Sequence, residues 1–482
     1  MAEERNPVSS NASSLASSPH ASAAWRIVLG YALMIVIAIG LLWLILSYGS
    51  EHLSPAATQT TSSATSVTEV HKLDALYHVL LSLVLILLLG RWLGKLFVHF
   101  EQPRVIGEMV AGIMLGPSLL GYFWPQATEF ILPEHAQPAL KIIAQIGVVL
   151  YMFLVGLELN AGLLRSRAHA TVAISHASIV APFLLGSVLA LWLYPRLGTA
   201  DASFASFALF MGVAMSITAF PVLARILTDR NMENSELGVV ALSCAAIDDV
   251  TAWCLLAFVV GVSQSAVNGA VQTTLLAVAY IAIMLFVVRP LAVRFLGHDA
   301  DHPTRRMAVW VLVALLFSAM TAEWIGIHAI FGAFLLGAII PHDSDVARDF
   351  TSKLEDIVKI LLLPAFFAYT GMRTQIGLVT GWEAWMFCAV IIVVATLGKF
   401  GGTFVAARFT GLSSRLSAAL GILMNTRGLM ELIVLNIGLE LGVISPTLFA
   451  MMVIMALVTT IATTPILHLL TSVTARPEKV AA

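Results

Sequence analysis

Long apolar runs separated by short charged loops make up most of this chain. The first, Ile27–Leu46, stands apart, behind a Ser/Ala-rich start and ahead of a Ser/Thr/Ala-rich linker at Ser50–Thr68. From Leu76 the runs follow one another closely. They predict spans at Leu76–Leu96, Val105–Leu120, Ile142–Leu157, Thr171–Leu193, Phe204–Leu227, Leu237–Val262 and Val271–Val288. The series continues at Met307–Ala322, Ala329–Ile340, Ile357–Thr370, Trp382–Ala407, Ala418–Leu439 and Pro446–Leu470. A helix needs about 20 apolar residues to cross a bilayer, and most of these runs approach that length. The pattern predicts an all-α polytopic membrane protein of 13 core helices plus an extra N-terminal one.

Composition agrees with that class. Of 482 residues, 59% are hydrophobic and 11% charged, where a soluble domain is nearer a quarter charged. The net charge of −2 carries no basic excess that would call for nucleic acid. Cys244, Cys254 and Cys388 are too few for a disulfide framework or a zinc cage. The first two, ten positions apart on one helix, are separated by about 15 Å and cannot bridge. All three read as small apolar side chains.

Loop charge orients the spans. Eighteen Lys and Arg, among them Arg91, Lys95, Arg104, Arg165, Arg167 and Lys353, fall on one side, against Lys72, Lys141, Arg196 and Arg373 on the other. The positive-inside rule makes the rich side cytoplasmic, including the C-terminus. Residues 1–26 then form a disordered cytoplasmic N-terminus, 27–46 an uncleaved anchor and 47–75 an external linker. Residues 76–470 form the main transmembrane domain, and 471–482 a cytoplasmic tail.

Two matches suggest an internal repeat. Gly156-Leu157-Glu158-Leu159-Asn160-Ala161-Gly162-Leu163 resembles Gly371-Met372-Arg373-Thr374-Gln375-Ile376-Gly377-Leu378. Gly112 through Pro117 echoes Gly337 through Pro341. One copy leaves its span toward the cytoplasm and the other away from it, so the repeat is inverted, as in many secondary transporters.

The candidate chemistry lies in mid-span. Asp248 and Asp249 sit near the centre of the otherwise uncharged run Leu237–Val262. An ionised Asp there costs roughly 2.5–3.5 kcal/mol on insertion scales, so such residues mark function. Ser216-Ile217-Thr218-Ala219-Phe220-Pro221 interrupts Phe204–Leu227. Pro221 deprives the Ile217 carbonyl of its helical partner, and the hydroxyls of Ser216 and Thr218 serve either to rescue backbone groups or to bind a cation. Asn425-Thr426-Arg427-Gly428 interrupts the corresponding span in the second half. Paired interruptions point to a transporter's binding site. Lys399, flanked by Gly398, Gly401 and Gly402, is a buried ammonium that needs a counter-charge, with Asp248 or Asp249 as its partner. The glycines allow close backbone approach. Arg427 and Glu431, four apart, read as a structural ion pair. Glu108 and Glu323 lie near span ends, within reach of the interface.

These residues carry a resemblance. Gln102 through Pro117, Ser216 through Leu227, Ala246-Ile247-Asp248-Asp249-Val250, Glu323 through Phe334 and Asn425 through Leu432 are similar to the monovalent cation:proton antiporter-2 family. The resemblance covers Leu76 to Leu470. It implies the sodium/proton antiporter fold with inverted repeats, a mobile core at 171–262 and 382–470, and a dimerisation scaffold at 76–164 and 271–370. It also implies a homodimer. By resemblance Asp249 is the ion-binding carboxylate, with Asp248 beside it as the second acid at the monovalent cation, and Lys399 is the salt-bridge partner of Asp248 or a coupled proton carrier.

The implied activity is exchange of a monovalent cation, Na⁺ first with K⁺ or Li⁺ as alternatives, for protons by alternating access. No cofactor is expected, and the location is a plasma membrane, the inner one in a bacterium. Glutathione-gated potassium efflux relatives usually carry a cytosolic nucleotide-binding domain, where here a short tail follows Leu470. A channel-like potassium efflux protein of the same fold is the rival reading. An intramembrane aspartyl protease fits less well, since its Gly-x-Gly-Asp motif is absent, as are a His-Glu-x-x-His motif and a phosphate loop.

Overall fold

A computed structural model describes residues 19–52, 72–158, 168–200, 202–232, 235–264, 267–296, 305–341 and 344–472. The chain start, most of the Ser/Thr-rich linker, the end of the Gly156–Leu163 motif, Arg165, Arg167 and the tail after Ser472 lie outside the described residues. The helices in the first half are α1 (Pro19–His52), α2 (Lys72–His99), α3 (Arg104–Leu115), α4 (Leu120–Phe123), α5 (Pro125–Ile131), α6 (Gln137–Glu158), α7 (Ala168–Leu197), α8 (Phe204–Ser216), α9 (Phe220–Asp229) and α10 (Glu236–Gln264). Those in the second half are α11 (Val267–Ile283), α12 (Arg289–Leu296), α13 (Arg305–Ile325), α14 (Ala329–Ile339), α15 (Asp345–Ile357), α16 (Leu363–Arg373), α17 (Gly381–Phe409), α18 (Ser414–Met424), α19 (Leu429–Glu440) and α20 (Pro446–Ser472). Among the described residues ten helices are long and apolar enough to cross a membrane, and Phe204–Ser216, Ala329–Ile339 and Ser414–Met424 are shorter apolar helices.

Several boundaries differ from expectation for local reasons. The helix containing Ile27–Leu46 is longer than that apolar run, extending from Pro19 to His52. The span expected at Val105–Leu120 stops at Leu115, where Gly116 turns extended ahead of Pro117. The short helices α4 and α5 follow, the latter opening with Pro125 at its start, where a missing N–H costs nothing. Residues Met284–Val288 and Val358–Leu362 form π-helical turns that join α11 to α12 and α15 to α16. Helix α15 was not foreseen: it is polar and amphipathic, capped by the Ser344 hydroxyl on the Ala347 amide.

The helices pack as two groups. Helices α7, α8, α10, α17, α18 and α20 contact one another, and α2, α3, α6, α13, α14 and α16 form the second group. Helix α1 joins the first, against α7 and α8. Ile45 is buried there, and Gly49 sits so close to the Phe204 ring that a Cβ would lie 1.9 Å from its edge.

The motif glycines mark the tightest crossings of the second group. A Cβ on Gly112 of α3 would lie 2.2 Å from the Ala368 carbonyl of α16, and one on Gly371 2.5 Å from the Met109 carbonyl. Likewise a Cβ on Gly156 of α6 would lie 2.4 Å from the Phe334 carbonyl of α14, and one on Gly337 2.2 Å from that of Phe153. Each echoing motif therefore packs on a member of the other pair. In the first group Gly398 and Gly402 bring α17 onto α7, where added Cβ atoms would sit 2.7 Å from Pro182 Cα and 2.6 Å from the Ala177 carbonyl. Gly401, expected to share that role, faces open space.

Candidate functional site

Two interrupted helices meet at the centre of the first group. Helix α8 ends at Ser216, Ile217 is extended at φ −74°, ψ 137°, and α9 begins at Phe220. The chain therefore breaks before Pro221 instead of kinking at it, and Pro221 falls in the first turn of α9, where it is tolerated. Helix α18 ends at Met424, and α19 resumes after Gly428, whose backbone is extended. The two breaks bond to each other: the Ala219 amide donates to the Thr426 carbonyl at 3.0 Å, and Thr218 Oγ1 lies 3.0 Å from the Met424 carbonyl.

A broken helix leaves carbonyls without amide partners, and its C-terminal end attracts cations. Among the described residues the two buried cations, Lys399 and Arg427, answer that need at α8. Lys399 Nζ donates to the Ser216 carbonyl. Arg427 donates to the Ala214 carbonyl at 2.8 Å and to that of Met215 at 2.7 Å. Arg427 also pairs with Glu431 at 3.4 Å, both side chains being fully buried. Ser216 Oγ serves the backbone, 2.6 Å from the Gly212 carbonyl. Thr426 Oγ1 does the same toward Leu423 at 2.9 Å.

The two acids, consecutive on α10, have different surroundings. Asp248 is wholly enclosed, and both its oxygens are taken. Ser175 donates to Oδ1, while Ser178 Oγ, Thr218 Oγ1 and Lys399 Nζ each lie 2.9 Å from Oδ2. The Lys399–Asp248 pair is therefore fully desolvated, which an ion pair tolerates only when further hydrogen bonds complete it. Asp249 is 2% exposed, yet its Oδ1 has no hydrogen-bond partner. Asn425 Oδ1, in the second break, is also buried and unpartnered. Buried oxygens without donors are costly, and these two are, among the described residues, unpartnered oxygens at the crossover.

Ser175 and Ser178 escaped sequence reading, although a Ser-x-x-Ser pair on one face of an otherwise apolar span was the available signal. So did Thr460, which accepts from the Arg427 amide at 2.9 Å and lies 2.8 Å from its carbonyl. Glu108 and Glu323 stand apart from the crossover: Glu323 accepts from the Ala329 amide at 2.7 Å, and Glu108, on α3, faces Gly90 of α2.

A transmembrane sodium/hydrogen exchanger family model matches residues 79–471. The chain belongs to the sodium/hydrogen exchanger family. It is a multi-pass membrane protein of a transporter family, not an enzyme, and the family's substrates are cations and protons. The exchanger chain is 44% identical over 397 residues to the Na(+)/H(+) antiporter NhaS4 of Synechocystis, covering 82% of this chain and 97% of that one. It is 39% identical to Cation/H(+) antiporter 20 of Arabidopsis thaliana and 33% identical to K(+)/H(+) antiporter 1 of Saccharomyces cerevisiae. The alignments cover 47% and 45% of those two proteins, so this chain spans about half their length. Its fold matches the sodium proton antiporter MjNhaP1 of Methanocaldococcus jannaschii, with a TM-score of 0.62 over 82% of this chain and 96% of that one, at 15% identity.

Proposed function

We propose that this exchanger trades a monovalent cation, Na⁺ in the first instance, against protons, and that Asp249 is the carboxylate for which the two compete. The observation that carries the reading is the contrast within α10. Asp248 has three hydroxyls and Lys399 within hydrogen-bonding distance, whereas Asp249 Oδ1 is buried with no donor. A buried carboxylate in that state must take either a proton or a cation, and an obligatory choice between them is antiport. Asn425 Oδ1 is the candidate second oxygen for the cation.

Alternating access follows from the two helix groups, the first moving as the core and the second serving as scaffold and homodimer surface. The crossed packing of Gly112 on α16 and Gly337 on α6 supports an inverted repeat, since exchanging the two halves maps one contact onto the other. On this reading the chain has 13 core spans plus α1. Its basic face and C-terminus are cytoplasmic, and it sits in a plasma membrane, the inner one in a bacterium. Names among the relatives include both Na(+)/H(+) and K(+)/H(+) antiporters, so the salt used in the assay decides the cation.

The test is Asp249→Asn, which keeps the shape of the side chain and removes its titration. In everted vesicles, cation-induced dequenching of a pH-sensitive dye should vanish with NaCl, KCl and LiCl, while the protein remains inserted. Wild-type dequenching in that variant would overturn the assignment.

A further inference from the structure

A second charged hollow lies outside the crossover, between α2, α3 and the π-helical turn before α16. It encloses about 250 Å³ and is lined by Arg91 and Lys95 of α2, Arg104 and Glu108 of α3, and Lys359 of the turn. Its remaining lining is Leu87, Ile360, Pro364 and the bare backbone of Gly90 and Gly94. We propose that this hollow binds the phosphate of an anionic phospholipid headgroup.

Charge balance is the first argument. Arg104 has Glu108 as an electrostatic partner one turn on, and Lys359 pairs with Glu355. Among the described residues Arg91 and Lys95 have neither a hydrogen-bond nor an ion-pair partner. Four cations against two carboxylates leave the hollow positive. Arg91 lies within a membrane span, Ala75–His99, and an unpaired guanidinium there needs an anion at hand. A phosphate suits it, because the guanidinium fork can bind two of its oxygens together.

Depth is the second argument. Lys95 and Arg104 lie toward the ends of their helices, and Arg91 lies four residues, about 6 Å, deeper than Lys95. Leu87 lies one turn deeper again, and with Ile360 and Pro364 it makes an apolar wall alongside the cations. A cationic rim joined to an apolar wall matches a phospholipid, whose glycerol and acyl chains continue from the phosphate, and does not match a soluble anion.

The test reads stability and binding without transport. The full chain in detergent is melted with phosphatidylglycerol, cardiolipin, phosphatidylcholine or inorganic phosphate, and retained lipids are counted by native mass spectrometry. The two anionic lipids should raise the melting temperature, and phosphatidylcholine and inorganic phosphate should not. Arg91→Gln combined with Lys95→Gln should weaken the apparent affinity for phosphatidylglycerol by about tenfold or more, as expected for lost charge-assisted hydrogen bonds. Arg289→Gln combined with Arg294→Gln, an equal loss of charge outside the hollow, should leave it unchanged. The shift should persist in Asp249→Asn, so this site stands or falls separately from the transport reading. Equal stabilisation by phosphatidylcholine, stabilisation by inorganic phosphate alone, or an undiminished shift in the Arg91/Lys95 variant would each overturn the proposal. Should that double variant fail to fold, the Arg104→Gln single variant takes its place, with lipid counts as the readout.

Discussion

Neighbouring residues on a helix point about 100° apart, so Asp248 and Asp249 enter different surroundings although they are adjacent in the chain. Asp248 turns into the seam between α7, α8 and α17, where Ser175, Ser178, Thr218 and Lys399 meet it. Removing the Lys399 ammonium would leave a desolvated carboxylate with only hydroxyl donors. Lys399→Ala should therefore cost about 3–5 kcal/mol, the range for breaking a buried pair from one side. Asp248→Asn combined with Lys399→Ala should recover most of that loss, because no buried charge then lacks a partner. Thermal melting of the two single variants and the double variant measures the coupling. Additive losses would mean that the two side chains do not support each other. Both acids, the lysine and the two breaks were legible in the sequence as polar residues where apolar ones belong. The serines were not, since a lone hydroxyl in a span bonds its own helix as readily as a neighbour.

At the scale of helices, close approach sets the architecture of both groups. Gly112 allows α3 to lie against the backbone of α16, and a side chain there would meet atoms that cannot rotate away. Gly112→Val should destabilise by roughly 1–3 kcal/mol or more, as overpacking does. Gly401→Ala should be neutral or slightly stabilising, because nothing lies within 4 Å of the added carbon and Ala is the better helix former. Denaturation midpoints of the two variants separate these cases, and equal losses would mean that close approach is not what Gly112 provides. The sequence marked all these glycines alike. Which of them faces a neighbour depends on the rotation of each helix about its axis, and only packing decides that. The π-helical turns and α15 were likewise unreadable, since the residues around Val358 are as compatible with an uninterrupted helix.

Across the whole molecule, the two groups are latched together at the sparsely charged face. Glu440, the last residue of α19, which packs on α8 and α20 of the first group, lies 2.9 Å from Lys141 Nζ of α6 and 3.3 Å from Arg373 of α16 in the second. One turn earlier Asn436 accepts from Arg373 at 3.2 Å and donates to Thr370 at 2.9 Å. All three charges are partly exposed, so their contribution to stability is modest, but they bridge surfaces that the proposed alternating access would part. Glu440→Gln should expose Ile433, buried on α19 beside this network, so that an Ile433→Cys side chain becomes reactive to an impermeant thiol reagent. Unchanged labelling would mean that the latch lies elsewhere. Lys141 and Arg373 were visible in the sequence as two of the four cations on that side, without any hint that they share one carboxylate. The sequence by itself determined which stretches are long apolar helices, where two of them break and which acids lie in the middle of an apolar run. It could do so because hydropathy, helix breaking and the cost of a buried charge are local properties of a segment. Only the tertiary structure decided that Lys399 faces Asp248, that Asp249 keeps a free oxygen and that Glu440 joins α19 to α6 and α16. Each of those facts joins residues from helices far apart in the chain, and their meeting depends on how the helices rotate and pack.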